Sequence, residues 1–265
     1  RDRYNNKVRI TLLMKVPFFD YKGYCKDIDY KKLLGEVLET GFLIGGPFID
    51  QVEEKIQSLS KIKNCVCVGN ATDGLEIIFD FLKLPHNSKV LVPAHTMLAT
   101  ASAARSAGLH PEPVDVDPRT YMLEIDQLSK CNLKNVSAIM VTQLNGVVAD
   151  MNPIKKFCEE HNIPLIEDSA QGIGAFNNNK HAGSWGIGGC LSFYPAKIVG
   201  CLGDGGAIIT NSDELADYAR SVRDHGRGNK LEAINWGRNS RLDNLNAKVI
   251  FCLLYTSDAA DDIPR

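Results

Sequence analysis

The sequence predicts an α/β fold in which a mainly parallel sheet is flanked by helices. Short apolar runs rich in β-branched residues alternate along the chain with longer runs whose apolar residues recur at helical spacing. This alternation is typical of crossover units, in which a helix returns the chain to begin a parallel neighbouring strand. Because such sheets bind ligands at the carboxyl ends of their strands, we expect functional residues directly after the apolar runs.

The pattern begins with two helices and continues with alternating strands and helices. Apolar residues recur every three or four positions from 30 to 59, and glycines and a proline between 41 and 47 divide this stretch into two helices. Strands are predicted at 65–68, 90–92, 138–141 and 163–166, and the helices between them at 75–82, 98–107 and 154–161.

Composition and charge exclude several classes of protein. Of the 265 residues, 44% are hydrophobic and 23% are charged, which excludes a disordered or fibrous chain, and no apolar run is long enough to span a membrane. The net charge of −2 gives no reason to expect nucleic acid as a partner. The eight cysteines lack metal-ligand spacing, which predicts free thiols and no metal site. Without a signal-peptide pattern, the expected location is the cytoplasm.

Both ends of the chain are set apart from the predicted domain. We interpret residues 1–13 as upstream read-through, because Met14 is a natural start. Residues 252–265 resemble the in-frame translation of a sequencing adapter, and an ordinary polar tail is the alternative. The domain, with an N-terminal arm, is therefore expected at 14–251, and the chain is expected to be a truncated copy of a longer protein.

A lysine at the end of an apolar segment is the first candidate catalytic residue. Lys197 lies beside Ala196, Ile198 and Val199. Poor solvation there would lower the pKa of its amine and make it a better nucleophile toward a carbonyl. Most lysines are solvated surface charges, and for Lys197 taken alone that alternative stays open.

The residues after the first strand are a candidate phosphate site. The stretch 69–74 reads Gly-Asn-Ala-Thr-Asp-Gly and leads directly into a helix. Free N–H groups at a helix start, together with the helix dipole, favour an anion. Thr72 or Asp73 is alternatively a plain helix cap without any ligand.

Polar residues at two further strand ends complete the candidate site. Asp168 follows the strand at 163–166, where a carboxylate needs a positive partner such as a protonated pyridine nitrogen, or else caps the next turn. Ser192 can donate its hydroxyl to a phosphate, and the glycines at 203–206 allow tight backbone geometry. A phosphate cradle, a hydroxyl, a carboxylate and an amine are together what pyridoxal 5′-phosphate (PLP) requires, so the sequence predicts PLP as a cofactor.

Five motifs occur in the order and spacing of a known family. They are Glu-Asp-Ser-Ala-Gln (167–171), Ser-Phe-Tyr-Pro-Ala-Lys (192–197), Gly-Asp-Gly-Gly-Ala (203–207), Asp-His-Gly (224–226) and Gly-Arg-Asn-Ser-Arg-Leu-Asp (237–243). From about 16 to 251 the sequence resembles the DegT/DnrJ family of PLP-dependent nucleotide-sugar aminotransferases. The resemblance implies the large domain of the PLP-dependent transferase fold type I, in the aspartate aminotransferase superfamily, with the C-terminal small domain largely missing.

The resemblance implies catalytic roles for particular residues. Lys197 is similar to the lysine that holds PLP as a Schiff base, and Asp168 to the partner of the pyridine nitrogen. Gln171 is similar to a neighbour of the cofactor's phenolic oxygen, and His225, in the Asp-His-Gly motif, to a residue near the substrate.

Further positions match the family's cofactor-binding residues. Ala71, Thr72 and Ser192 correspond to phosphate-binding positions. Asn239 matches an asparagine that reaches the phosphate bound by the neighbouring subunit, which implies a homodimer with shared sites. Met97 stands where the family usually places an aromatic ring over the cofactor, and a thioether can still pack there.

The implied reaction moves an amino group from an amino acid such as glutamate to a nucleotide-linked keto-sugar, in nucleotide-sugar or polysaccharide biosynthesis. One alternative is a sugar dehydratase related to this family, but such dehydratases carry histidine in place of Lys197. A second alternative is a regulatory protein that keeps only the fold. No helix-turn-helix signal or basic stripe in the sequence indicates it.

Overall fold

The computed structural model of the protein describes residues 17, 19–24, 26, 28–228 and 232–261, with side chains as far as Tyr255. Met14 and the stretch 1–13, interpreted above as read-through, lie outside the described residues, as do 262–265 of the proposed tail. In the part described, no helix combines the length and the apolarity needed to cross a membrane.

The strands form a seven-stranded sheet and a separate two-stranded hairpin. Their bounds are β1 (Asn64–Val68), β2 (Lys89–Pro93), β3 (His110–Val114), β4 (Val136–Thr142), β5 (Leu165–Asp168), β6 (Phe176–Asn177), β7 (Lys180–His181), β8 (Gly188–Ser192) and β9 (Gly206–Thr210). The order across the large sheet is β1-β9-β8-β5-β4-β2-β3, and β6 pairs with β7. Neighbours from β8 to β3 run parallel, whereas β9 is antiparallel to both β8 and β1. The sheet is therefore mainly parallel, as predicted.

Helices connect these strands and cover the sheet. Their bounds are α1 (Tyr21–Tyr24), α2 (Tyr30–Thr40), α3 (Pro47–Ser60), α4 (Ala71–Leu82), α5 (Leu98–Ser106), α6 (Ile125–Leu128), α7 (Met151–Glu160), α8 (Asp213–Val222) and α9 (Asn244–Asp261). The two N-terminal helices predicted at 30–59 are confirmed by α2 and α3, which are separated by a turn with glycines in left-handed conformations.

In the large sheet, alternate residues of the strands other than β3 pack into separate cores on the two faces. Val66, Val68 and Ile208 pack with α4, α5 and α8 on one face. Cys65 and Cys67, which are free thiols as predicted, pack with α2, α3 and α9 on the other, and a further cluster buries α7 against β4 and β5. Because both faces are covered there, these strands are mostly apolar and lack an alternating pattern, whereas β3 at the edge of the sheet is partly exposed.

The predicted end of the strand at 163–166 was wrong. Strand β5 continues to Asp168, because Glu167 and Asp168 pair with Val141 and Thr142 of β4. Consecutive strand residues point to opposite faces, so the two carboxylates serve different purposes. Asp168 lines a cavity, whereas Glu167 is buried among backbone N–H donors.

Glu167 fixes the segment that leads into β8. Its Oε1 accepts the N–H groups of Trp185 at 2.6 Å and Gly186 at 3.2 Å. Its Oε2 accepts the N–H of Gly183 and the side-chain amide of Gln143, both at 2.8 Å. Burial raises the pKa of Glu167, and these four donors counteract that shift by favouring the ionised carboxylate.

Replacing Glu167 with glutamine is therefore expected to destabilise the fold by about 2–3 kcal/mol. The new amide group would face buried N–H donors that need an acceptor, and each unsatisfied buried group costs roughly 1–3 kcal/mol. Urea unfolding of the Glu167→Gln protein measures the loss. Glu54→Gln, on the exposed side of α3, is the control. A Glu167→Gln protein as stable as this control would contradict the assignment.

Candidate functional site

A cavity of about 910 Å³ lies at the carboxyl ends of the parallel strands. Loops after β1, β2, β4, β5 and β8 contribute to its walls. The predicted site residues that line it are Ala71, Thr72, Met97, Asp168, Gln171, Ser192 and Lys197. The topology thus brings residues from distant parts of the chain to one edge of the sheet, where ligands of such sheets bind.

The start of α4 forms one polar wall of the cavity. Asn70 is the N-cap, and its Oδ1 accepts the N–H of Asp73 at 2.8 Å. The alternative in which Thr72 or Asp73 caps the helix is therefore wrong. The N–H groups of Ala71 and Thr72 have no acceptor within the helix, and the dipole adds partial positive charge at this end. An anion such as a phosphate suits this wall.

Gly206 holds Ser192 next to that helix start. Ser192 pairs with Gly206 across β8 and β9, and a Cβ at Gly206 would lie 2.6 Å from the backbone nitrogen of Ala71. Any side chain at this position would push β9 away from α4. The hydroxyl oxygen of Ser192 accepts the N–H of Tyr194 at 3.3 Å, an interaction that does not use the hydroxyl proton. The hydroxyl of Ser192 and the N-terminus of α4 therefore lie at the same wall of the cavity.

Asp168 presents a buried carboxylate to the cavity and is only 4% exposed. Its Oδ2 accepts the hydroxyl of Thr100 at 2.5 Å, and its Oδ1 accepts the N–H of Ala170 at 3.2 Å. Burial raises the pKa of Asp168, while these two donors and the charge of Lys197 act in the opposite direction. The Ala170 bond is the turn cap that the sequence offered as an alternative, and it coexists with the cavity position.

Lys197 is half-buried on the loop after β8 and also lines the cavity. Burial lowers the pKa of its amine, and the charge of Asp168 opposes this shift. The backbone N–H of Lys197 donates to the carbonyl of Tyr194 at 2.8 Å. The hydroxyl of Tyr24, at the end of α1, donates to the carbonyl of Ile198 at 2.9 Å. The N-terminal segment thus holds the loop that carries the lysine.

Met97 and Gln171 complete the part of the predicted site that the cavity contains. Met97 is the N-cap residue of α5, and its side chain is 69% exposed at the cavity wall. The side-chain oxygen of Gln171 accepts the N–H of Asn145 at 2.8 Å. Both residues line the cavity and can therefore contact a ligand bound there.

Two predicted residues, His225 and Asn239, lie outside the lining of this cavity. His225 is exposed, with a left-handed backbone, and its N–H donates to the carbonyl of Arg238 at 2.9 Å. Asn239 is exposed, and its Oδ1 accepts from the guanidinium of Arg241 at 3.2 Å. Their roles toward the substrate and toward a second subunit stay predictions.

The sequence analysis missed several residues that shape the site. Thr96, Thr100 and Thr142 are linked by short hydroxyl contacts that end on Asp168. No local pattern indicated them, because Thr96 precedes the predicted helix at 98–107 and Thr100 is 68 positions from Asp168 in the sequence. For Tyr24, which is far from the lysine loop in sequence, no local pattern indicated the contact.

The fold and this cavity define a class of protein, the PLP-dependent aminotransferases, whose solved structures have the same mostly parallel sheet flanked by helices. The chain belongs to the DegT/DnrJ/EryC1/StrS aminotransferase family, whose model matches residues 25–258. The family that the five motifs indicated is therefore confirmed.

Individual relatives agree with this assignment. The chain is 36% identical over 237 residues to UDP-2-acetamido-2-deoxy-3-oxo-D-glucuronate aminotransferase of Pseudomonas aeruginosa, covering 89% of this chain and 66% of the relative. DesV of S. venezuelae aligns with a TM-score of 0.87 at 30% identity, covering 92% and 66%. NtdA of Bacillus subtilis, solved with its cofactor PMP bound, aligns with a TM-score of 0.82 at 30% identity, covering 92% and 57%. The chain spans no more than two thirds of the length of these relatives.

Proposed function

We propose that this chain contains the PLP-binding large domain of an aminotransferase that acts on nucleotide-linked keto-sugars. The observation that carries the proposal is the single cavity that combines Lys197, Asp168, Ser192 and the start of α4. An amine with a lowered pKa and a buried carboxylate line the same cavity. The N–H groups of Ala71 and Thr72, which have no acceptor within the helix, and the hydroxyl of Ser192 lie at one wall. PLP requires all of these groups at once.

The residues fit PLP by the chemistry of their donors and acceptors. The N–H groups of Ala71 and Thr72 and the hydroxyl of Ser192 would hold the phosphate, and Asp168 would accept from the protonated ring nitrogen. Lys197 is the amine available to the aldehyde. When bound, PLP supplies an aldehyde that condenses with amines and a ring that accepts the electron pair released at the donor's α-carbon.

Lys197 is proposed to move the proton in this reaction. Burial lowers the pKa of its amine, so a larger fraction is neutral near pH 7 than for a solvated lysine, and the neutral amine can take a proton from the donor's α-carbon. The loop contacts of Tyr24 and Tyr194 restrict where this amine can be placed. The hydrogen bonds that Thr100 and Ala170 donate favour the ionised form of Asp168 and oppose the effect of burial on its pKa.

The substrate class rests on the relatives. The Pseudomonas aeruginosa relative is named for a UDP-linked keto-sugar, and an Aneurinibacillus thermoaerophilus relative, 36% identical over 239 residues, is named as a transaminase of a dTDP-linked amino-sugar. We therefore propose a nucleotide-linked keto-sugar as acceptor and an amino acid, with glutamate as the first to test, as donor.

Titration with PLP tests the proposal directly. We expect a visible absorption band that borohydride removes while fixing the cofactor to the chain, and peptide mass spectrometry should locate it at Lys197. A protein that keeps only the fold for regulation would give neither the band nor the adduct. A related dehydratase is disfavoured by Lys197 itself, since such dehydratases carry histidine there.

We further propose a homodimer in which Asn239 of one subunit reaches the phosphate site of the other. Asn239 is exposed and lies outside the cavity lining, and nearby Trp236 is 99% exposed. Exposing this large apolar side chain to water is unfavourable, and a second subunit would bury it.

Mixing Lys197→Ala and Asn239→Ala subunits is expected to restore PLP adduct formation that neither variant shows at the same PLP concentration. A mixed dimer contains one site with both Lys197 and Asn239 intact, and that site exists only if the asparagine acts across the interface. Sedimentation of the unmixed proteins measures their association. No recovery from a preparation shown to contain mixed dimers would contradict the shared site.

A further inference from the structure

Three threonine hydroxyls form a continuous chain that ends on Asp168. The hydroxyl of Thr100 is 2.5 Å from Oδ2 of Asp168, the hydroxyls of Thr96 and Thr100 are 2.7 Å apart, and those of Thr96 and Thr142 are 3.0 Å apart. Thr100 and Thr142 are buried and Thr96 is half-buried.

Ordinary local hydrogen bonding does not account for this chain. A threonine in a helix usually satisfies its hydroxyl on a backbone carbonyl three or four residues earlier. Thr100, in the first turn of α5, instead reaches a carboxylate 68 positions away in the sequence. Thr142 is the last residue of β4 and pairs with Asp168 of β5. The threonine chain therefore connects a loop, a helix and the ends of two strands.

When Asp168 is ionised, its charge fixes the direction of every hydrogen bond in the threonine chain. An ionised carboxylate can only accept, so Thr100 must donate its one hydroxyl proton to Asp168. Thr100 can then only accept from Thr96, and Thr96 can only accept from Thr142. Each bond polarises the next, and the bond to the carboxylate is charge-assisted.

We propose that Thr100, supported by Thr96 and Thr142, is a positioning residue that holds Asp168 ionised and correctly oriented toward the cavity. This inference rests on the proposed function only where it concerns PLP. The other charged or titratable groups that act on Asp168 are Lys197, on the lysine loop, and the thiol of Cys190, on β8. Neither contacts the threonine chain through a hydrogen bond among the residues described.

The test compares Thr100→Val, which keeps the shape and removes the hydroxyl, with Thr100→Ser, which keeps the hydroxyl. In Thr100→Val we expect a weaker affinity for PLP by roughly ten- to a hundredfold, the range expected for losing one charge-assisted hydrogen bond. Thr100→Ser should stay within about threefold of the unmodified protein. Thr142 lies at the end of the threonine chain farthest from Asp168. Thr142→Val should therefore also weaken PLP binding, by a smaller factor than Thr100→Val.

A second readout does not depend on PLP. Carboxyl ¹³C NMR of the cofactor-free proteins should show a higher pKa for Asp168 in Thr100→Val than in Thr100→Ser. Thermal unfolding of both variants identifies a folding defect. If Thr100→Val is folded and changes neither the pKa of Asp168 nor the affinity for PLP, the proposal is overturned. If Thr100→Val has an effect and Thr142→Val has none, the supporting role of Thr96 and Thr142 is overturned. If neither the unmodified protein nor any variant binds PLP, but the pKa of Asp168 still differs between Thr100→Val and Thr100→Ser, the proposed function is contradicted. The positioning of Asp168 by Thr100 is then still supported.

Discussion

Replacing Lys197 with alanine is expected to abolish the covalent PLP adduct completely. Lys197 is the lysine that lines the cavity, and its amine has a pKa lowered by burial. Without this amine, borohydride has no bond to fix, and the proton transfer at the donor's α-carbon loses its base. General acid–base groups contribute roughly 10²- to 10⁴-fold to a rate, so any amino-group transfer should fall by at least that factor.

The measurement is intact-protein mass after PLP addition and borohydride reduction, followed by peptide mapping. Lys130→Ala is the matched control, because Lys130 is an exposed lysine beyond α6 and outside the cavity lining. This control should form the adduct like the unmodified protein. A Lys197→Ala protein that still gives a single adduct at another lysine would contradict the assignment.

The sequence predicted which residues line the cavity better than it predicted how they are arranged. Lys197, Asp168 and Ser192 stand next to apolar runs that are visible in the sequence, and parallel strands bring such positions to one edge. The antiparallel β9 was not predicted, since a short apolar run such as 207–209 carries no information about strand direction. Its consequence, the approach of Gly206 to Ala71, is a contact between distant segments that only the packed sheet creates.

The partners of Asp168 were missed for a related reason. The sequence does not reveal whether a threonine hydroxyl donates to a local carbonyl or to a distant carboxylate. Only the register of β4 with β5 determines which carboxylate lies nearby. The helix cap was misplaced by two or three residues, because Asn70, Thr72 and Asp73 are all good capping residues and the end of β1 selects among them. Local propensity therefore located the site, and tertiary pairing determined its chemistry.

Replacing Asp168 with asparagine is expected to weaken PLP binding by roughly a hundredfold or more. The variant keeps the shape of the side chain and an oxygen that can accept from Thr100. It removes the negative charge and the acceptor for the N–H of Ala170. A protonated ring nitrogen in a buried site would then lack its counter-charge, and an uncompensated buried charge costs about 3 kcal/mol or more. Absorption titration with PLP measures the affinity. Asp115→Asn, on an exposed residue, is the control.

The same substitution is expected to change how the stability of the cofactor-free protein depends on pH. Burial raises the pKa of Asp168, so the folded state binds its proton more tightly than the unfolded chain does. The free energy of unfolding contributed by this group therefore falls as pH rises from the unfolded-state pKa through the raised folded-state pKa, and it stays low above that window. Asparagine does not titrate, so the unfolding temperature of the unmodified protein, relative to that of Asp168→Asn, should fall between pH 4 and pH 7. A difference in unfolding temperature that is the same at both pH values would contradict the raised pKa of Asp168 in the folded state.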